Sequence, residues 1–408
     1  MNSRLLWCVV ALTGLVVGLP AAPVRAQIAL VASPSGPVPA GPYLVVDAAT
    51  GETLLERNAG AFWYPASLTK LMTIYVVFED LKSGRLTLST PVPFSDYARS
   101  MPPSKLGVAA GQTITVEQAL QALVARSAND VATALGELVA GSTPAFAHRM
   151  TETAARLGMS GSQFRNANGL PDASQMTTAR DMAVLAVALV KDFPQYYGFF
   201  HTQEFMLGKM RVGPGIKFLE LYAPYADGMK TGFICASGFN IVGSAVRDGR
   251  RLIAVAFGFR RADLRDEFIV RLLDEAFSLK TGGNRPKVWQ LRNGEGGPGT
   301  IFPLNECGGI HYDMPGDAAW LGTYPDWKSA RHAYDNGQAE LVKLGVTRLG
   351  KEWILPVTLN KVTHQAAIIA DLEPEAAQKL CADYQQRKLF CQVKKPADFV
   401  SPFSGYWR

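Results

Sequence analysis

From Ser67 to Phe78 the chain reads Ser-Leu-Thr-Lys-Leu-Met-Thr-Ile-Tyr-Val-Val-Phe, apolar on nearly every side of a helix. A surface helix keeps one polar face, whereas a helix without one has to be wrapped by the rest of its domain. A buried helix at the centre of a layered fold is therefore the first requirement. Upstream, Tyr43–Asp47 and Glu52–Glu56 flank Ala-Ala-Thr-Gly and read as a β-hairpin. Downstream, helices are expected at Val116–Ala125, Asp130–Val139, Thr143–Leu157 and from about Ala179 to Lys191, the last with Thr178 and Asp181 spaced as a capping box. Strands return at Phe239–Val246 and Leu252–Phe257 around an Asp248-Gly249 turn. Apolar residues between Leu264 and Phe277 then repeat with helical spacing. Strands from both ends of the region and helices from its middle predict an α+β domain, one antiparallel sheet with helices on its faces.

At 408 residues the chain is long for one domain. From 282 to 316 the composition shifts to Gly, Pro and Asn without periodicity, which reads as a linker. A small second unit follows over 317–396. It has strands at Ala319–Tyr324, Trp353–Leu359, His364–Asp371 and Phe390–Val393, and helices at Trp327–Leu344 and Pro374–Arg387. That order, βαββαβ, is the ferredoxin-like one; residues 397–408 form a tail.

Residues 1–26 read as an export signal, with Arg4, the apolar run Leu5–Leu19 and Val24-Arg25-Ala26 before the cleavage point. The first folded unit then spans 27–281, and the expected location is outside the cytoplasm, in the periplasm or cell envelope. The net charge is +6, and losing Arg4 and Arg25 would remove two positive charges. Lys and Arg are dispersed rather than clustered, which argues against nucleic acid as partner. Export permits disulfides. Of three pairings among the four remaining cysteines, Cys381–Cys391 is favoured because both lie in the C-terminal unit. Cys235 and Cys307 are left, as a second pair or as buried thiols.

Three short motifs point to acyl transfer. In Ser67-Leu68-Thr69-Lys70 the spacing puts a hydroxyl and an amine on one helical face. Burial at the positive end of a helix disfavours a charged lysine, so Lys70 is placed to act as base on Ser67. Ser127-Ala128-Asn129 offers a second hydroxyl for proton relay and an amide for the substrate backbone. Lys230-Thr231-Gly232 offers a cation and hydroxyl for a terminal carboxylate, and a glycine that lets an added strand lie close. A second Lys-Thr-Gly at Lys280-Thr281-Gly282 follows a helix and reads as its end. Each motif alone is weak; the ordered trio is specific.

That trio resembles the serine penicillin-binding proteins. The segments around it, Tyr64–Thr73, Ser127–Asp130, Asn166–Asp172, Thr177–Asp181 and Asp227–Gly232, resemble their low-molecular-weight D-Ala-D-Ala carboxypeptidases, of the S11 peptidase type. The likeness covers about residues 40–280. It implies a β-lactamase-like catalytic fold with Ser67 as acyl-enzyme residue, Lys70 as base, Ser127 as proton relay and Asn129 as substrate contact. Lys230 and Thr231 would bind the D-Ala carboxylate, beside Gly232, with the backbone N–H groups of Ser67 and Phe233 as oxyanion hole. The implied reaction removes the terminal D-Ala from peptidoglycan pentapeptide stems, without cofactor or metal, and β-lactams would acylate Ser67. The C-terminal unit resembles the SPOR domain, a peptidoglycan-binding module, through Trp320–Tyr324 and through Pro374–Cys381 with Cys391. This likeness implies a Cys381–Cys391 disulfide, contact with denuded glycan strands and a septal position. The polar residues usual in the module's first strand are absent.

Rival functions are a D,D-endopeptidase of cross-links and a non-catalytic peptidoglycan scaffold. A class A β-lactamase is disfavoured because Phe164–Met176 contains no Glu. The five histidines show no metal spacing; His201 and Glu204 read as a surface pair. No Gly-x-Ser-x-Gly elbow is present.

Overall fold

The computed structural model describes residues 38–401, apart from positions 173, 283, 295, 301–309, 312–315, 360–361 and 396–399. The expected export signal, Cys307 and most of the tail lie outside the described residues. Among the described residues no helix is long and apolar enough to cross a membrane.

The N-terminal hairpin is β1 (Tyr43–Asp47) and β2 (Thr53–Arg57). Asp47 closes its turn by accepting from the Ala49 and Thr50 N–H groups. The buried helix, α1 (Thr69–Lys82), has every residue buried except Glu79 and Lys82. Around it lie α2 (Val116–Ala125), α3 (Asn129–Ala140), α4 (Thr143–Arg156) and α5 (Ala179–Asp192). Three long strands follow, β3 (Ala226–Ile234), β4 (Gly238–Arg247) and β5 (Arg250–Phe259), and then α6 (Ala262–Ser278). Asp248 and Gly249 both have positive φ, 51° and 74°, the backbone that a two-residue hairpin with native twist requires.

These strands form one antiparallel sheet in the order β2-β1-β5-β4-β3. Its alternation sorts the core into two layers. Leu44, Val46, Ile253, Val255 and Phe257 pack with α1 and its neighbours. Tyr43, Val45, Leu252, Ala254 and Ala256 pack on the other face, with Phe268, Ile269, Leu272 and Leu273 of α6.

Three details differ from the sequence reading. Strand β3 begins at Ala226 and carries the third motif, a strand that lies ahead of those expected from Phe239 onward. At α5 only half of the expected capping box forms. Thr178 Oγ1 accepts from the Asp181 N–H, but the Asp181 carboxylate turns to the Gly161 N–H and Ser162 Oγ. The complete box lies at α2, between Thr115 and Gln118. Finally, the first part of the glycine-rich stretch packs onto the domain. Val288 is fully buried, its N–H donates to Gly51 O, and the Gly294 and Gly299 N–H groups donate to Gly60 and Phe62. Asn293 donates to Ser160 and Asp181. Residues 286–294 and 296–299 form a strap held by backbone bonds, the Asn293 side chain and the buried Val288, a mix that leaves no side-chain period to read.

The C-terminal unit runs β6 (Asp317–Tyr324), α7 (Trp327–Lys343), β7 (Lys351–Leu359), β8 (Val362–Leu372), α8 (Pro374–Gln386) and β9 (Gln392–Lys394). Its sheet has the antiparallel order β7-β8-β6-β9. Ala319, Leu321, Ala367 and Ile369 pack with Ala330, Leu341, Ala377 and Leu380 of the two helices. A Cys381–Cys391 disulfide ties α8 to the approach to β9. Cys235 is also disulfide-bonded.

Candidate active site

Ser67 lies in a single 3-10 turn, Ala66–Leu68, that runs directly into α1. Ala66, just before it, has φ +48°, a left-handed backbone that non-glycine residues adopt only where the surroundings impose it. Those surroundings are close. A Cβ on Gly169 would fall 2.0 Å from Ala66 O, and one on Gly232 3.0 Å from the Ser67 and Leu68 nitrogens. Glycine is therefore needed at both walls of the Ser67 turn. Gly232 also fixes β3, the last strand of the sheet, directly alongside Ser67.

One turn into α1, Lys70 is wholly buried. Its Nζ lies 3.0 Å from Ser67 Oγ and 2.8 Å from Asn129 Oδ1, and it donates to the Asn168 carbonyl. Burial, then the nearby charge of Lys230, holds its pKa well below the ordinary lysine value, against the opposing pull of Asp130. The three neighbours suit a neutral amine. Two carbonyl oxygens take its two N–H bonds, and its lone pair faces a hydroxyl that can donate.

Ser127 sits between α2 and α3 with φ +56°. Lys230 Nζ is 3.0 Å from Ser127 Oγ and 2.9 Å from Thr231 O. It too is buried, and burial, then the charge of Arg265, brings its pKa down to about 7. Asn129 opens α3; its side chain donates to Pro102 O, and its N–H to Ser104 O at 2.7 Å. Ser67, Lys70 and Asn129 form one group of contacts of about 3 Å and Ser127 with Lys230 a second. The charge of Lys230 reaches Lys70, and Gly232 lies against the Ser67 turn, although 163 positions separate Ser67 from Lys230. Thr231 and Phe233 flank Gly232 in the same strand.

Several contributors were not picked out by motif. Asp130 accepts from the Leu106, Gly107 and Val131 N–H groups and so clamps the 101–107 segment to the start of α3. Asn168 donates to Thr133 Oγ1 at 3.0 Å, which holds its own carbonyl over Lys70. Arg265 lies buried on α6, paired with Asp266 at 2.8 Å. Asp130 and Asn168 fall within the segments that carry the family resemblance, without a role of their own there. Arg265 shows as a charge on an apolar stripe, three, four and seven residues before Phe268, Ile269 and Leu272. The tempting histidine pair is ordinary. Glu204 is bound by Arg211 Nε at 2.7 Å, on a surface hairpin.

A buried antiparallel sheet with helices on both faces, and the Ser67 turn wedged against its edge strand, defines the β-lactamase and penicillin-binding-protein class of catalytic domain. The chain belongs to the D-alanyl-D-alanine carboxypeptidase family of S11 peptidases, whose model matches residues 29–261. It is 34% identical over 246 residues to the D-alanyl-D-alanine carboxypeptidase DacC of Escherichia coli, covering 59% of this chain and 62% of that one. It is similar to the crystal structure of penicillin binding protein 5 from Haemophilus influenzae, with TM-score 0.58, 30% identity, and coverage of 60% and 73%. It also resembles penicillin-binding protein D2 from Listeria monocytogenes in its cefotaxime-bound form, with TM-score 0.55, 27% identity, and coverage of 60% and 100%. The chain spans less than two thirds of the length of the DacC and DacA relatives of Escherichia coli and of DacF of Bacillus subtilis.

Proposed function

We propose that this chain is a serine D-alanyl-D-alanine carboxypeptidase that removes the terminal D-Ala from peptidoglycan pentapeptide stems. The observation that carries the reading is Lys70 Nζ, buried, 3.0 Å from Ser67 Oγ, with its other two contacts made to carbonyl oxygens. The neutral amine takes the Ser67 proton as Oγ attacks the penultimate D-Ala carbonyl. The oxyanion is met by the N–H groups of Ser67 and Phe233; each such donor is worth roughly 10²–10³ in rate. The departing D-Ala amine receives its proton through Ser127, which Lys230 holds in place. Asn129 holds the stem's backbone. Lys230 and Thr231, within the field of Arg265, hold the terminal carboxylate. Water then releases the acyl-enzyme.

The same serine is proposed to be acylated by β-lactams, which fits the cefotaxime complex of the Listeria relative. For the C-terminal unit we propose a SPOR-like, ferredoxin-like module that contacts denuded glycan strands. Its βαββαβ order, strand order and Cys381–Cys391 disulfide support this. So does a groove of about 1160 Å³ lined by Trp320, Tyr324, Tyr384, Phe390 and Lys328. Export through residues 1–26 to the periplasm, with a septal position, completes the proposal; the disulfides suit an oxidising compartment.

The test is fluorescent penicillin labelling, followed by mass analysis of D-Ala release from a pentapeptide stem and from a cross-linked dimer. Labelled wild type, unlabelled Ser67→Ala and release from the pentapeptide are expected. An unlabelled wild type, or label that survives Ser67→Ala, overturns the assignment. Preferential cleavage of the dimer makes the enzyme an endopeptidase, and rapid turnover of a chromogenic cephalosporin makes it a β-lactamase.

A further inference from the structure

The proposed carboxypeptidase site uses the backbone of Phe233 and leaves its side chain unassigned. Cross-strand partners fix where that side chain goes. Opposite Thr231 stands Ile241, and opposite Phe233 stands Phe239. Ile241 and Phe239 both belong to the core layer on the α6 side of the sheet, and directly paired residues share a face. Thr231 and Phe233 therefore project to the α6 face of the edge strand, roughly 7 Å apart along it. That is the face from which Arg265 acts on Lys230. The Phe233 ring stacks on Phe239, with centroids 4.1 Å apart and planes 27° from parallel, and Phe233 stays partly exposed.

We propose that the Phe233 side chain is a specificity-determining contact for the leaving residue. This rests on the carboxypeptidase reading. With the terminal carboxylate at Thr231, the side chain of the terminal residue points along β3 toward the next residue on that face. The Phe233–Phe239 stack is an apolar wall there. It fits a methyl group, gives nothing to glycine, and offers no partner to a charged side chain. A pocket contact with one methyl discriminates by roughly tenfold.

The experiment compares kcat/KM for two acylated tripeptides, one ending in D-Ala-D-Ala and one in D-Ala-Gly, with wild type, Phe233→Ala and Phe233→Leu. Fluorescent penicillin labelling and a melting curve accompany each protein. Wild type is expected to prefer D-Ala over Gly by about tenfold. Phe233→Ala should bring that ratio toward unity, chiefly by slowing the D-Ala substrate, and Phe233→Leu should restore most of it. Equal losses on both substrates, or an unchanged ratio in proteins that still take the label, would overturn the specificity role and leave the carboxypeptidase reading standing. A wild type that takes no label removes both.

Discussion

Two lysines in one site, both short of their ordinary basicity, act in opposite senses. In the proposed mechanism Lys70 has to be neutral to accept a proton, so activity should rise as pH climbs through its depressed pKa. Lys230 has to be charged to hold a carboxylate, and in the free enzyme it loses that charge from about pH 7 upward. The expected kcat/KM profile is therefore a bell whose alkaline limb belongs to Lys230. In Lys230→Arg the guanidinium stays charged throughout, so the alkaline limb should vanish even if the peak rate falls. A wild-type profile still rising at pH 10 would contradict this assignment. Stability carries a related signature. Between about 7 and the ordinary 10.5 the unfolded chain holds a proton on Lys230 that the folded chain lacks, so unfolding free energy increases with pH across that window. Lys230→Met should abolish that contribution in denaturant titrations at a series of pH values. The spacing of Ser67 and Lys70 was legible in the sequence because the 3-10 turn of Ser67 runs straight into α1 and keeps both on one face. The carbonyl of Asn168 was not, since a main-chain oxygen carries no residue signature.

At the scale of elements, the site depends on loops pinned by few groups. Asp130 accepts two N–H groups of the 101–107 segment, and a buried donor left without an acceptor costs about 1–3 kcal/mol. Asp130→Ala should lower stability by about 2–4 kcal/mol and weaken penicillin acylation. Equal melting temperatures for mutant and wild type would argue that the clamp is slack. Gly232→Ala is a sharper probe, because its Cβ would press on the Ser67 and Leu68 nitrogens at 3.0 Å. A loss of acylation of at least about 100-fold is expected with only a small shift in melting; near-normal labelling would show that the turn can yield. Long periodic elements were readable: α2, α4 and α6 begin and end within a few residues of expectation, because each repeats one apolar face. Strand β3 was read only in part. Asp-Gly-Met-Lys-Thr-Gly lacks the alternation of an ordinary strand, since an edge that receives substrate gives up side chains a core strand would keep.

For the whole molecule, the family match ends at residue 261, while the strap holds the domain as far as Gly299. A chain cut after residue 300 should fold and take penicillin like the full protein. One cut after 281 loses the buried Val288 and the Asn293 bonds, and should melt several degrees lower. Indistinguishable melting of the two truncations would reduce the strap to a passenger. The composition of 282–299 hid this role, because contacts made through main-chain amides and close glycine approaches need no pattern of side chains. The order β2-β1-β5-β4-β3 has one more consequence. The sheet ends at β3, beside Ser67, in an edge with no further strand among the described residues, a kind of edge that elsewhere invites runaway pairing between molecules. In the proposed reaction a sixth strand is welcome only briefly, and only as a guest that is cut on arrival. Such a rim reads the guest's backbone rather than its side chains, so tolerance toward the inner part of a stem and strictness at its last residue both follow from where the sheet stops.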